Sequence, residues 1–165
     1  MTDYILPIAD IVDENLSAYV GNKYNSYYQK KWQFTLGQLK GFNITAFFLG
    51  AIWLIYRKMY LYATIFLVII SLDIVVEMFF PPLPEALSSG LTCAIAVMFG
   101  VMGNYWYKTH ADKKVSQICA SFPPEQVPAE LAKQGGTNLA AALIATVVVL
   151  ALVGVGFWAI YSGKL

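Results

Sequence analysis

The sequence predicts an all-α integral membrane protein, on three observations. Apolar residues make up 58% of the 165 residues and charged residues only 13%, whereas soluble domains are typically about 45–50% apolar and about 25% charged. The mean hydropathy is +0.58. The charges are also clustered, leaving three uncharged or nearly uncharged stretches long enough to cross a bilayer. A hydrocarbon core of about 30 Å takes about 20 helical residues at about 1.5 Å each.

The three predicted transmembrane helices are 59–80, 86–107 and 138–161. Of all the acidic and basic residues, only Asp73 and Glu77 fall inside them. A fourth apolar stretch, Ile44–Tyr56, has 13 residues. It is too short to cross unaided and is expected as a re-entrant or interfacial helix. The organisation expected is therefore a cytoplasmic amphipathic segment over 1–41, a membrane domain over 42–161 with a cytoplasmic loop at 108–137, and an external tail at 162–165.

Orientation follows from lysine and arginine. Lys23, Lys30, Lys31, Lys40, Arg57 and Lys58 precede the first span, and Lys108, Lys113, Lys114 and Lys133 lie between the second and third. The link between the first two spans has none, and the tail has Lys164 alone. The basic side should be cytoplasmic, which places the N-terminus inside and the C-terminus outside. Residues 1–20 carry Asp3, Asp10, Asp13 and Glu14 and no basic residue, so no secretory signal is expected there. Aromatic residues gather at the expected interfaces: Trp53, Tyr56, Tyr60 and Tyr62 around Arg57–Lys58, and Tyr105–Tyr107 before Lys108.

Outside the spans, Ile8, Ile11, Val12, Leu16 and Tyr19 recur at helical spacing, with Gly21 as the stop. Tyr24, Tyr28 and Trp32 follow at four-residue steps beside Lys23, Lys30 and Lys31. This stripe suits either a helix on anionic lipid or one packed on the ends of the spans. The second span is expected to continue as helix through Cys119 until Phe122-Pro123-Pro124 breaks it. A short helix at about 128–133 should end at Gly135-Gly136, with Thr137 or Asn138 capping the third span.

The run FNITAFFLGAIWLIYRKMY (Phe42–Tyr60) resembles the motif of a bacterial membrane family, domain of unknown function 2628, whose members read F-N-W-x-A-F-F-F-G-x-x-W-x-x-Y-R-K-M-Y. Ile44 stands where an aromatic is usual, and Leu49 where a Phe is. The preceding YVGNKYNSYY, and the later GNYWYKTHADKKV and LAKQGGTN, are similar to further elements of the family. The resemblance spans most of residues 19–138 and implies no function. In physical terms, Asn43 can cap the short helix. Phe47, Phe48, Ile52 and Tyr56 form an apolar face, Gly50 admits a close neighbour, and Arg57 and Lys58 mark the cytoplasmic edge. Asn43, Phe47, Phe48, Trp53, Tyr56, Arg57 and Lys58 are the candidate interaction residues, with Phe47, Phe48 and Trp53 expected partly free to meet lipid or a partner.

Catalytic, metal-binding and cofactor-binding motifs are missing, so neither an enzyme nor a cofactor is expected. His110 reads as a solvated side chain, and Cys119 lies nine residues from it, too far along a helix to share an ion. A net charge of +1 argues against nucleic acid as a partner. The sharpest anomaly is Asp73 and Glu77, one turn apart within a span, where an acid is costly. Two functions follow from these features. One is a non-enzymatic accessory, adaptor or regulatory subunit, with membrane lipids and another membrane protein, or a second copy, as partners. The alternative is an oligomeric component conducting ions or protons through Asp73 and Glu77. Small residues at Ala96, Gly100 and Gly103, and at Ala142, Thr146 and Gly154, are spaced for close helix packing.

Overall fold

The computed structural model describes residues 8–33, 41–80 and 83–162, without the side chains of residues 8, 9, 73–75, 77, 78, 159 and 160. Among the described residues every regular element is helical. In chain order these are α1 (Ile8–Val20), a π-helical turn (Tyr24–Tyr28), α2 (Gln29–Lys31), α3 (Ile44–Leu49), α4 (Ala51–Tyr56), α5 (Tyr60–Phe79), α6 (Glu85–Ser121), α7 (Val127–Gln134) and α8 (Leu139–Tyr161). Two runs are long and apolar enough to cross a membrane: α6, and Val127–Trp158, which carries α8. Within α5, the run Tyr60–Leu72 is apolar but shorter.

Breakers set the helix ends. Gly21 adopts φ 76° and donates to Ser17 O at 2.9 Å, closing α1 in the left-handed conformation glycine tolerates. Pro123 and Pro124 stop α6, and Gly135-Gly136 stops α7. The 37 residues of α6 extend about 55 Å, nearly twice a bilayer core.

Two short segments depart from expectation. The apolar stretch Ile44–Tyr56 is two six-residue helices, not one. Gly50 between them has φ 46°, which no continuous right-handed helix accommodates. A Cβ built on Gly50 would meet nothing within 4 Å, so this glycine serves the turn and not a close neighbour. The Tyr24–Trp32 stripe begins as a π-helical turn, and its rings are turned inward: Tyr24 and Tyr28 are buried and Trp32 is half-buried.

The chain divides into two compact units, each drawn from two stretches: Met1–Phe48 with Pro82–Gly136, and Leu49–Pro81 with Thr137–Leu165. In the first, α1 packs on α6 and α7. The buried residues of α6, from Phe99 through Gly103, Tyr107, Ala111 and Val115 to Ile118, recur every three to four positions as one stripe. None lies before Phe99. The α1 side supplies Leu16, Tyr19 and Val20, while Ile11 and Val12 of the expected apolar face are exposed. Gly136 N donates to Tyr19 O at 2.7 Å, and a Cβ on Gly135 would lie 1.9 Å from that same oxygen.

In the second unit, α4 packs on both α5 and α8. Its core is small: Trp53, Leu54, Met59, Ala63 and Ala142. Most of the remaining surface of α5 and α8 is exposed and apolar.

Candidate functional site

Within the first unit, the motif begins in a buried amide bracket. Asn43 is 1% exposed and Asn104, 61 residues on, is 4% exposed. Asn43 Oδ1 accepts from Ala46 N at 2.9 Å, capping α3. Its Nδ2 donates to Asn104 Oδ1 at 2.8 Å, and its backbone N donates to Gly100 O at 2.7 Å. Asn104 Nδ2 then donates to Gly41 O at 2.8 Å, and Trp32 Nε1 donates to Asn104 O at 3.0 Å. The four amide functions satisfy one another and the backbone beside them, as buried polar groups require. Phe42 covers Gly100 so closely that a Cβ there would meet its ring at 2.2 Å. Gly100 is thus one small residue whose spacing matters inside the chain, whereas nothing lies within 4 Å of a Cβ at Gly154.

Rings complete this bracket. Tyr28 meets Tyr107 edge-on at 4.8 Å and Trp32 lies 5.8 Å from Tyr107, within the range in which aromatic pairs attract. Lys31 Nζ donates to Phe42 O at 3.2 Å and sits 5.6 Å from the Tyr27 ring.

The seat of α1 is polar as well. Asp13 accepts from the Tyr24 hydroxyl and from Gln29 Nε2 at 3.2 Å. Burial, then the Asp13 hydrogen bond and charge, and the more distant Asp112, push the Tyr24 phenol well above its ordinary range. Tyr19 Oη lies 3.3 Å from His110 Nε2, and burial raises this phenol too, with Tyr107 adding to it. His110 is therefore half-buried, not solvated. It follows the buried Tyr107 by three residues on α6 and directly precedes the buried Ala111, which explains the difference. Burial, followed by the Lys114 and Lys113 ammoniums, lowers its pKa. The nearby Lys108–Asp112 pair, 2.7 Å apart, is a surface ion pair. An open cleft lies beside α1, lined by Asp10, Asp13, Glu14, Ser17, Ala18 and Asn25.

Within the second unit, Trp53 and Leu54 are buried at 2% and 1% exposure. Trp53 was expected partly free; it is core, because it lies on the side of α4 that faces its neighbours. Arg57 is likewise buried, at 5% exposure, and not held at a headgroup edge; its guanidinium carbon lies 5.4 Å from the Tyr56 ring. Lys58 has φ 58°. Around it Lys58 N donates to Ile55 O at 3.0 Å and Met59 N to Leu54 O at 2.9 Å. This is a Schellman turn with lysine where glycine is usual. Asn138 closes the unit: its N donates to Tyr56 O at 2.8 Å, its Nδ2 to the Tyr60 hydroxyl at 2.9 Å, and its Oδ1 accepts from Ala141 N at 3.0 Å.

Of the candidate interaction residues, Phe48 is fully outward at 75% exposure. Phe47 and Tyr56 are half-buried, as is Lys58, and Asn43, Trp53 and Arg57 are buried. Asp73 and Glu77 fall on the backbone of α5, one turn apart, and their side chains lie outside the described residues, as do the Ile8 side chain, Lys40 and Lys164. Among the described residues no group of three or more His, Cys, Asp or Glu side chains gathers to hold a metal. Sequence reasoning missed Asn104. Its available signal was a polar amide on the stripe that runs from Gly100 to Tyr107.

The fold and this bracket define a helical protein carrying long apolar helices, with a pair of buried side-chain amides at the start of its motif. No curated protein and no solved structure matches the chain. The family model described as protein of unknown function (DUF2628) matches residues 12–113, and the chain belongs to that family. The matched region takes in the amide bracket, the motif run and the α1 seat.

Proposed function

We propose that this chain is a multi-pass protein of the bacterial inner membrane. It serves as a non-enzymatic accessory, adaptor or regulatory subunit of a membrane complex, with lipids and another membrane protein, or a second copy, as its partners. One observation carries the membrane reading. Only 17% of the apolar window in α6 and 6% of that in Val127–Trp158 is buried. The core helix of a water-soluble protein would have such a surface covered, because burial of apolar area is worth about 25 cal/mol per Å². A bilayer covers it instead.

The finer topology rests on length and charge. The 20 residues of α5 match one crossing at about 1.5 Å each, so α5, the first half of α6, and α8 are the three spans. Lysine and arginine place the N-terminus and the α6–α8 connection inside and the C-terminus outside. The accessory role is supported by the buried amides, which organise the chain without presenting reactive groups.

Reporter fusions after Ser26, Pro84, Pro124 and Lys164 test the topology, with in, out, in, out expected. A cytoplasmic signal at Lys164 removes one span. Purification in mild detergent tests the role: a stoichiometric foreign subunit supports it, whereas a pure homo-oligomer with measurable ion flux in vesicles overturns it.

A further inference from the structure

We infer that the outward face of α3, with the lysines of α2 at its start, is a docking surface for an anionic bilayer. This rests on the membrane reading above and names the lipid chemistry at one place in it.

Three observations meet there. First, α3 is capped inward by Asn43 and turns its other side out: Ile44 is 65% exposed, Phe48 75% and Leu49 46%. These are large apolar side chains on a helix of only six residues, too short to cross. Second, the stripe of Tyr24, Tyr28 and Trp32, which suited either lipid or inward packing, is spent on packing within its own unit, so it cannot supply the contact. What α2 leaves outward is Lys30, with Lys31 held at the carbonyl of Phe42, the residue that leads into α3. Third, the chain has no Asp or Glu from Asn15 to Leu72, while Lys23, Lys30, Lys31, Lys40, Arg57 and Lys58 all fall in that stretch. The acids of α1 line the cleft beside Asn25, and Asp13 among them is already taken up by the Tyr24 hydroxyl and Gln29 Nε2.

A cation-rich, acid-free segment leading into exposed apolar side chains complements a surface of acidic headgroups over acyl chains. Phe48 and Ile44 enter the acyl boundary, and the α2 ammoniums meet the phosphates. Lysine stems suit this, since their methylenes lie along apolar surface while the charge stays at the headgroups.

The test uses the full-length protein in nanodiscs of phosphatidylcholine and phosphatidylglycerol. In a Cys93→Ser, Cys119→Ser background, a fluorophore is placed by Phe48→Cys, or in a separate preparation by Val149→Cys on α8. Bromine is carried on the acyl chains of one lipid or the other. Both labels should be quenched. At position 48, brominated phosphatidylglycerol should quench beyond its mole fraction. Lys30→Gln and Lys31→Gln should each lower that preference, by up to about fivefold per lysine, while position 149 shows no preference. Quenching at 149 but not at 48 overturns the inference and spares the membrane reading. So does equal quenching by both lipids at 48, or a preference unmoved by both lysine variants. No quenching at either position overturns the membrane reading itself.

Discussion

The first unit closes around aromatic rings and side-chain amides, and the second around one tryptophan and a turn. In the first, a stripe from Phe99 to Ile118 on α6 is buried against α1, α7 and the Tyr24–Trp32 segment, and two asparagines hold the start of α3. In the second, among the described residues, the buried positions of α5 and α8 are Ala63 and Ala142, and most other side chains of these helices face outward. Under the membrane reading proposed above, the difference follows from which solvent each surface is built for. Tyrosines, tryptophan and amides packed together form a specific core because their polar atoms must find partners. Long apolar helices with little self-packing need only hydrocarbon around them and a few contacts to fix their ends.

The largest test of this contrast is Trp53→Ala. With so few buried residues in the second unit, the loss of a buried tryptophan should cost about 3–5 kcal/mol. Hydrogen exchange in detergent should show α4, α5 and α8 opening while the α6 stripe stays protected. If protection falls equally in both units, the two are not separately stabilised.

Next in size is Gly135→Ala. The added methyl would collide with the Tyr19 carbonyl, a backbone atom that cannot swing aside. A loss of about 3 kcal/mol is expected, at the upper end of overpacking costs, read as a lower thermal midpoint and lost protection of α1 and α7. Gly100→Ala should be milder, because the atoms it meets are the far end of the Phe42 ring, which can rotate.

The paired amide changes are smaller and sharpen the comparison most directly. Asn104→Leu strands the Asn43 amide and the Gly41 carbonyl, for about 2 kcal/mol. Asn138→Ala removes a helix cap and its tie to Tyr60, for about 1 kcal/mol. Equal losses would mean that the bracket in the first unit is no more buried in effect than the cap in the second.

The smallest effect is one of pH. His110 is held below the ordinary imidazole value, so as pH falls from about 6.5 the unfolded chain takes up its proton first. Stability contributed above that pH is therefore lost as acidification proceeds toward the lower, folded-state value. Melting curves from pH 7.5 to 5.5 should slope down, and His110→Gln should flatten the slope.

The helix limits were legible because each depends on one or two local residues: Gly21, Pro123-Pro124, Gly135-Gly136, and the caps Asn43 and Asn138. The continuation of α6 past the expected span was legible for the same reason, since nothing before Phe122 interrupts it. Less local facts were not. The pairing of Asn43 with Asn104 joins positions 61 residues apart, and periodicity says nothing about partners at that distance. Gly50 was visible as a glycine, but close approach and left-handed backbone give the same letter. Trp53 and Arg57 belong to residue types that favour an interface, and only the packing of α4 between two helices turns them inward.

Residues 136 to 138 give the chain an order of assembly. Gly136 supplies the backbone bond that fastens Tyr19, and two residues later Asn138 supplies the one that fastens Tyr56. As the chain leaves the ribosome, both long intervals stay unclosed until this tripeptide has emerged, and then both can shut almost together. A nascent chain stalled before residue 136 would lack both clasps, with the Tyr19 and Tyr56 carbonyls left without these donors. One three-residue step in translation thus supplies a backbone tie to each unit.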